Sequence, residues 1–313
     1  MALLVLHPGL STTLQDGGRP RFRHLGVPQG GAADRESWAL ANALLGNPFD
    51  TASLELTQFG GSYQALEPLE LCLVGARFDA KVTDDGQVRF VVEPAQSFAM
   101  RPGDRLEIGG CRRGCRGYLA VAGGWLTPSV LESRSSESKL KAGETLAASP
   151  TSVGRLRRRL GPGEIDSLFD ENPIRLMDGP DAREVPERSA ELFSLAFRVG
   201  LSSDRLGMRL ESEHSTPASI AADRPSSPVV PGAIQWSGAE WIALGPAGGT
   251  IGGYLHVGQV ISCDLDRLFR RGPGELVRFE KVSRETARDL DRNARERLTR
   301  RLTLIRLACS EGR

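Results

Sequence analysis

Two stretches of this 313-residue sequence carry residue types that can do chemistry. The first, PGLSTTLQDGGRPRFRHLGVPQGGAADRES at 8–37, places Thr12, Thr13, Gln15, Asp16, Arg19, Arg23 and Asp34 around Gly17, Gly18, Gly30 and Gly31. A loop so rich in donors, acceptors and glycines lets a ligand approach the backbone closely. Equally, its Asx and Ser/Thr turns can do no more than tie a strand to a helix. The second, LGPAGGTIGGYLHVG at 244–258, has six glycines in fifteen positions together with Tyr254 and His256. It reads as a phosphate cradle, a glycine-packed strand or the remains of an active site. No G-x-x-x-x-G-K-[ST] motif occurs, and the glycines at 245–253 lack the lysine that would meet β- and γ-phosphates, so a P-loop is excluded.

The elements that hold these stretches are mostly strands. Short apolar-alternating runs, LELCLVG (69–75), VRFVVE (88–93), GYLAVAGG (117–124), AIQW (233–236) and EWIAL (240–244), are separated by turns drawn from 36 glycines and 19 prolines. That is the pattern of a β-sandwich or barrel. A turn-then-strand unit recurs in RPGDRLEIG (101–109), KAGETLAA (141–148) and RGPGELVRF (271–279), which suggests two barrels of similar design. Two helices break the pattern. In DRESWALANALLGN (34–47), Asp34 is an N-cap and Gly46 a C-terminal stop. From Ser283 to about Ala308, the residues Ala287, Leu290, Ala294, Leu298, Leu302 and Ile305 form an apolar stripe. The stripe packs on its own domain or a second subunit, or else serves a membrane surface or partner helix. The polar stretch SPTSVGRLRRRLGPGEID (149–166) marks the division into halves 1–155 and 156–313. Its arginines read as a solvated linker in preference to a nucleic-acid arm.

Lys+Arg 40 against Asp+Glu 39 leaves a net charge of +1, which points to no nucleic acid and no anionic membrane. The start MALLVLHPGL is too short for a signal peptide or membrane span, so a cytoplasmic protein is expected. Cys72, Cys111, Cys115, Cys263 and Cys309 are odd in number, and their one close pair, CRRGC, lacks C-x-x-C spacing. Reduced thiols follow. His7, His24, His214 and His256 are scattered singly, and no metal site is expected.

The run PGLSTTLQDGGRPRFRHLGVPQGGAAD, followed by LANALLGNPFDTASLELT (40–57), YLAVAGG (118–124), SRSS (133–136), SDRLGMRLE (203–211), VVPGAIQ (229–235) and the Gly-Gly-Tyr at 252–254, resembles the KipA or PxpC family in order. That family is also called allophanate hydrolase subunit 2, or biotin-dependent carboxyltransferase-like. The resemblance implies a mainly β fold of two cyclophilin-like β-barrel halves, with a short helix near the N-terminus and a long C-terminal one.

It also implies a subunit of an ATP-dependent amidohydrolase, 5-oxoprolinase first, which opens 5-oxo-L-proline to L-glutamate as ATP becomes ADP and phosphate. The partners implied are a KipI/PxpB-like and a LamB/YcsF-like (PxpA) subunit. ATP, with a divalent ion such as Mg2+, would sit in a site shared with a partner. Such chemistry needs donors over the phosphoryl oxygens and a group to place water. On that reading Asp16 polarises water or holds metal, with Gln15 and Arg19 beside it as catalytic residues. Thr13, Asp34, Glu55, Arg205, Gln235, Thr250, Gly252, Gly253 and Tyr254 bind substrate. Each also has a plain structural role open to it: Asp16 as an Asx turn, Arg19 and Arg205 as ion-pair struts, Glu55 as a buried anchor.

Where the family carries A-D-x-Q-T-T-G-G-Y-P, this chain has Ala247 at the acid, Gly249 at the glutamine, Ile251 at the second threonine and Leu255 at the proline. The change removes a carboxylate, an amide and a hydroxyl. Ser226, Ser227 and Pro228 replace the family's S-E-G run. The alternatives are therefore a catalytically weakened regulatory partner of a KipI-like subunit, or a carboxyltransferase component acting on urea- or allophanate-type substrates.

Overall fold

The computed structural model describes residues 1–151, 158–212 and 224–310, the side chains of Cys309 and Ser310 excepted. Residues 152–157, the expected 155/156 boundary among them, and His214 therefore lie outside the described residues. The chain forms two compact units, each interrupted in sequence: Met1–Gly18, Asp34–Phe169 and Leu298–Arg313 make the first, and Arg19–Ala33 with Asp170–Arg297 the second. This differs from a simple division at 155/156, because two segments serve the unit that does not flank them. The 19–33 loop joins the second unit through Gly30, whose amide donates to Pro246 O at 2.8 Å, and Gly31, whose carbonyl accepts from Arg205 at 2.7 Å. The chain end joins the first through Arg301, 3.3 Å from Glu36 and 3.2 Å from Glu164, and Arg306, which lies over the Phe49 ring.

In the first unit, six strands order as Thr145–Ala147, Ala2–His7, Phe59–Ala65, Arg105–Cys111, Phe78–Asp84 and Gln87–Val91. Five more order as Ser11–Gln15, Ser53–Thr57, Arg116–Val121, Leu69–Gly75 and Ser97–Met100. All pairings in both sheets are antiparallel. Alternation places Leu3, Val5, Leu54, Leu56, Leu71, Leu106 and Leu119 in one apolar core. Gly9 and Gly61 bring two backbones together beside it. A Cβ on Gly9 would stand 2.2 Å from Phe59 O, and one on Gly61 2.2 Å from His7 O.

The second unit closes into a seven-stranded barrel: Ile174–Asp178, Leu255–Val260, Ala233–Trp236, Trp241–Leu244, Gly207–Glu211, Ala196–Val199 and Leu276–Lys281. Ile174–Asp178 and Leu276–Lys281 run parallel where the barrel shuts. Phe197, Phe279, Trp236 and Trp241 fill its interior, the two tryptophan rings 5.0 Å apart. The mainly β expectation holds.

The first helix spans Arg35–Leu44, with Asp34 Oδ1 accepting from Ser37 N at 3.1 Å as an N-cap should. The last spans Arg284–Ser310, and the expected stripe is its covered side: Ala287 and Leu302 are buried, while Leu290, Ala294, Leu298 and Ile305 are half-buried. Three shorter helices, Pro162–Asp166, Pro186–Ser194 and Leu265–Arg270, stand where no helix was expected. Among the described residues no helix is long and apolar enough to cross a membrane.

Candidate functional site

In the first unit the predicted residues gather on one face of the five-stranded sheet. Thr13 lies opposite Glu55, Glu55 opposite Tyr118, and Gln15 opposite Ser53. Because side chains alternate, this face is polar while Leu14, Leu54 and Leu56 enter the core on the other. The Tyr118 hydroxyl donates to Glu55 Oε2 at 2.7 Å and accepts from Asp34 N at 2.8 Å. Arg116 Nε lies 3.7 Å from Glu55 Oε1. Burial, then the negative charges of Glu55 and Asp34, push the Tyr118 phenol well above its ordinary range, so it works as a fixed donor. Gln15 Nε2 donates to Thr13 Oγ1 at 2.9 Å and Ser136 O at 2.8 Å. Gln15 Oε1, fully buried, accepts nothing.

Asp16 is the most heavily committed of these groups. Oδ1 accepts from Ser133 Oγ and Ser135 Oγ, both at 2.6 Å, and from Gly18 N at 2.8 Å; Oδ2 accepts from Arg134 N at 2.6 Å. Its own amide donates back to Ser135 Oγ at 2.9 Å. Four donors on two oxygens bind the Asp-Gly-Gly turn to the SRSS segment. An Asx turn to Gly18 is present, as the plain structural reading had it, within a larger cage. Asp34 is committed as well, its second oxygen taking Ser37 Oγ at 2.6 Å.

The second unit holds Arg19, Arg205, Gln235, Thr250, Gly252, Gly253 and Tyr254. Arg205 is a strut: its guanidinium holds Gly31 O, and its carbonyl accepts from Ala247 N at 3.1 Å. Arg23 donates to Val229 O. Several glycines of the 244–258 stretch answer to packing. A Cβ on Gly245 would stand 2.1 Å from Arg205 O, and one on Gly248 2.6 Å from the Leu244 side chain. Ile251–Gly252 forms a two-residue pairing with Ser227–Pro228.

Beneath that pairing, Gln235 lies opposite His256 on neighbouring strands. Gln235 is 4% and His256 6% exposed, and neither Gln235 Nε2 nor His256 Nε2 has a hydrogen-bond partner. Gly252 leaves the amide its room, since a Cβ there would come within 3.0 Å of Gln235 Nε2. Asp181 Oδ2 accepts from His256 N at 2.7 Å, and Arg224 pairs with Asp181 and with Glu184. Burial holds the His256 pKa below its ordinary value, against the opposing charge of Asp181. The buried Gln235 amide nitrogen suits a ligand carbonyl or carboxylate, while the neutral His256 Nε2 donates or accepts according to its tautomer. Tyr254 is half exposed at the rim. Among the described residues no three His, Cys, Asp or Glu side chains converge as a metal site.

Residue typing did not single out Tyr118, Arg116, Ser133, Ser135, Asp181 or Arg224. Tyr118 was legible by parity, as the cross-strand neighbour of a buried glutamate. The serines lay in plain view in the SRSS motif.

A family model described as carboxyltransferase domain, subdomain A and B, matches residues 25–281. The chain belongs to this family. Among curated carboxyltransferase-domain relatives it is similar to the C subunit of 5-oxoprolinase from Escherichia coli, 29% identical over 91% of this chain and 93% of that protein. It is also similar to the urea amidolyase of Lachancea kluyveri, 28% identical over 92% of this chain but 17% of that protein. Among solved structures, that of TTHA0988 is 32% identical with a TM-score of 0.77, over 89% of this chain and 56% of that one. The Kluyveromyces lactis urea amidolyase, 24% identical with a TM-score of 0.79, shares the fold over 95% of this chain.

Proposed function

We infer that this chain is the carboxyltransferase-like subunit of a multi-subunit, ATP-dependent amidohydrolase of the 5-oxoprolinase type. One observation carries the reading: the similarity to the C subunit of 5-oxoprolinase runs over nearly the whole of both chains, whereas urea amidolyase matches as a small part of a longer protein. The unpartnered Gln235 nitrogen supplies a donor for a carbonyl or carboxylate of a cyclic amide, with His256 Nε2 on the neighbouring strand as the second polar contact. Thr250, Gly252, Gly253 and Tyr254 shape that place, and Arg205 with Arg19 holds the loop beside it. Within the first unit, Gln15 Oε1, a buried acceptor without a donor, is a separate candidate contact beside Thr13 and Glu55.

An unstrained amide is a poor electrophile, and phosphorylation of its oxygen by ATP supplies the missing activation. With no P-loop in the sequence, nucleotide belongs to a site owned by or shared with a KipI/PxpB-like or LamB/YcsF-like partner. Among the described residues no three acidic or histidine groups converge and four donors already engage Asp16, so a divalent ion would take most of its ligands from nucleotide, water or partner. Asp16 is a positioning residue on this reading.

A second reading, a binding subunit with weakened turnover, is favoured by Ala247, Gly249 and Ile251 standing where the motif of the resembled family has polar groups. Co-expression with the two companion subunits, followed by 5-oxoproline-dependent ATP hydrolysis, decides. Turnover by the unaltered complex supports the first reading. Negligible turnover that rises in the doubly restored Ala247→Asp, Gly249→Gln chain supports the second. Purified alone, the chain is expected to hydrolyse no ATP.

A further inference from the structure

The CRRGC stretch, Cys111 to Cys115, plays no part in the site described above. Its backbone is unusual. Strand Ser53–Thr57 continues through Gln58 into Phe59–Ala65, and the facing chain runs from Arg105–Cys111 to Arg116–Val121. The register pairs Phe59 with Gly110 and Thr57 with Arg116, so Gln58 is the only residue left for five on the other side. Cys111 N donates to Gln58 O at 2.9 Å, and Gln58 N donates to Cys115 O at 2.8 Å. Together the two cysteines occupy one ladder position, with residues 112–114 looped out between them. Gln58 turns through the left-handed region at φ 60°, and its single peptide position holds both cysteines, which brings the two ends of the 111–115 loop together.

The Cys111 side chain turns back towards the second cysteine, its Sγ reaching the carbonyl of Gly114, the residue joined to Cys115. Cys111 is half-buried and reachable, its Sγ donating to Gly114 O at 3.0 Å. Cys115 is buried, and Arg116 Nη1 donates to its sulfur at 3.3 Å. The other described thiols are poor competitors. Burial, then the charge of Glu70, raises that of Cys72; burial, then Asp291, pushes that of Cys263 up to about 12.

We propose that Cys111 and Cys115 are a dithiol–disulfide pair that reacts with low-molecular-weight disulfides of the glutathione type. The Cys111 thiolate attacks one sulfur of the small disulfide and expels one small thiolate. The Cys115 thiolate then attacks the Cys111 sulfur of the mixed disulfide and expels the second. One dithiol and one small disulfide become one protein disulfide and two small thiols, with protons and electrons balanced.

The test equilibrates the intact chain in a series of glutathione/glutathione disulfide ratios, alkylates free thiols in denaturant and digests after glutamate. Residues 108–132 form one such peptide, in which Cys111 and Cys115 are the only cysteines. The expected result is that this peptide escapes alkylation and loses two hydrogens as the buffer becomes oxidising, with a single midpoint. In Cys115→Ser, glutathione should remain attached to Cys111. A peptide that keeps two alkylatable thiols across the series, or accumulates only mixed disulfide in the parent chain, overturns the proposal. Absence of the adduct in Cys115→Ser, with circular dichroism showing that variant folded, overturns the order of attack.

Discussion

Replacing Asp16 with asparagine separates a structural carboxylate from a catalytic one. An amide offers one acceptor where the carboxylate offers two. If its oxygen takes the place that receives Gly18 N and the two serine hydroxyls, its NH2 faces the Arg134 amide across a 2.6 Å contact, donor against donor. Turned over, it confronts three donors in place of one. The lost bond was to a charged acceptor, worth about 1.5–3 kcal/mol, and the orphaned amide adds to it. A total near 2–4 kcal/mol follows at a residue only 6% exposed. For a unit of this size that lowers the melting temperature by roughly 5–15 °C. Circular dichroism melts of parent and Asp16→Asn measure the shift, and ATP hydrolysis by the reconstituted complex, well below both midpoints, measures activity. An unshifted melting curve combined with abolished turnover would refute the reasoning and return Asp16 to the role of base.

Glu55→Gln leaves Arg116 buried without its anion and costs about 3 kcal/mol, read from denaturant midpoints. Gly9→Ala forces a Cβ into Phe59 O from a backbone at φ 74°, and should lower stability by about 3 kcal/mol or more in the same assay. Asp264 is held below its ordinary pKa: burial alone would raise it, but the Arg175 hydrogen bonds, 2.5 and 2.8 Å among them, and the Arg267 charge outweigh that. Its folded pKa lies below the unfolded one, so its contribution is present above pH ~4 and lost as pH falls further. The stability gap between parent and Asp264→Asn should close in acid melts. His256 also has a depressed folded pKa, so the unfolded chain takes up its proton first and stability falls as pH drops below about 6.5. His256→Gln should lose less melting temperature than the parent between pH 7 and pH 5.

Much of the architecture was legible from residue pattern because strands bury one side. LELCLVG reads as Leu69–Gly75 directly, and the three recurring turns each place a left-handed glycine, Gly103, Gly143 or Gly274, just before a strand. The helix Pro186–Ser194 was not legible, since Leu192 alone among its residues is fully buried and a single apolar residue sets no period. At the candidate site, types and spacing pointed to segments whose contacts only the fold reveals. Asp16 and Asp34 are the residues one would pick for proton chemistry, yet hydrogen bonds to partners as distant in sequence as Ser133 and Ser135 occupy them. Those partners are set by tertiary register. His256 and Asp181, 75 positions apart, meet for the same reason.

The exchange of segments between the two units has a consequence for how the protein is made. As the polypeptide leaves the ribosome, residues 1–169 emerge with their leading loop lacking the unit it belongs to, and with the terminal helix that completes them not yet synthesised. The second unit cannot reach its final form until residues 170–297 have been made, nor the first until those beyond 297 have followed. Splitting the gene at any single codon between the halves should therefore give two insoluble products rather than two working modules.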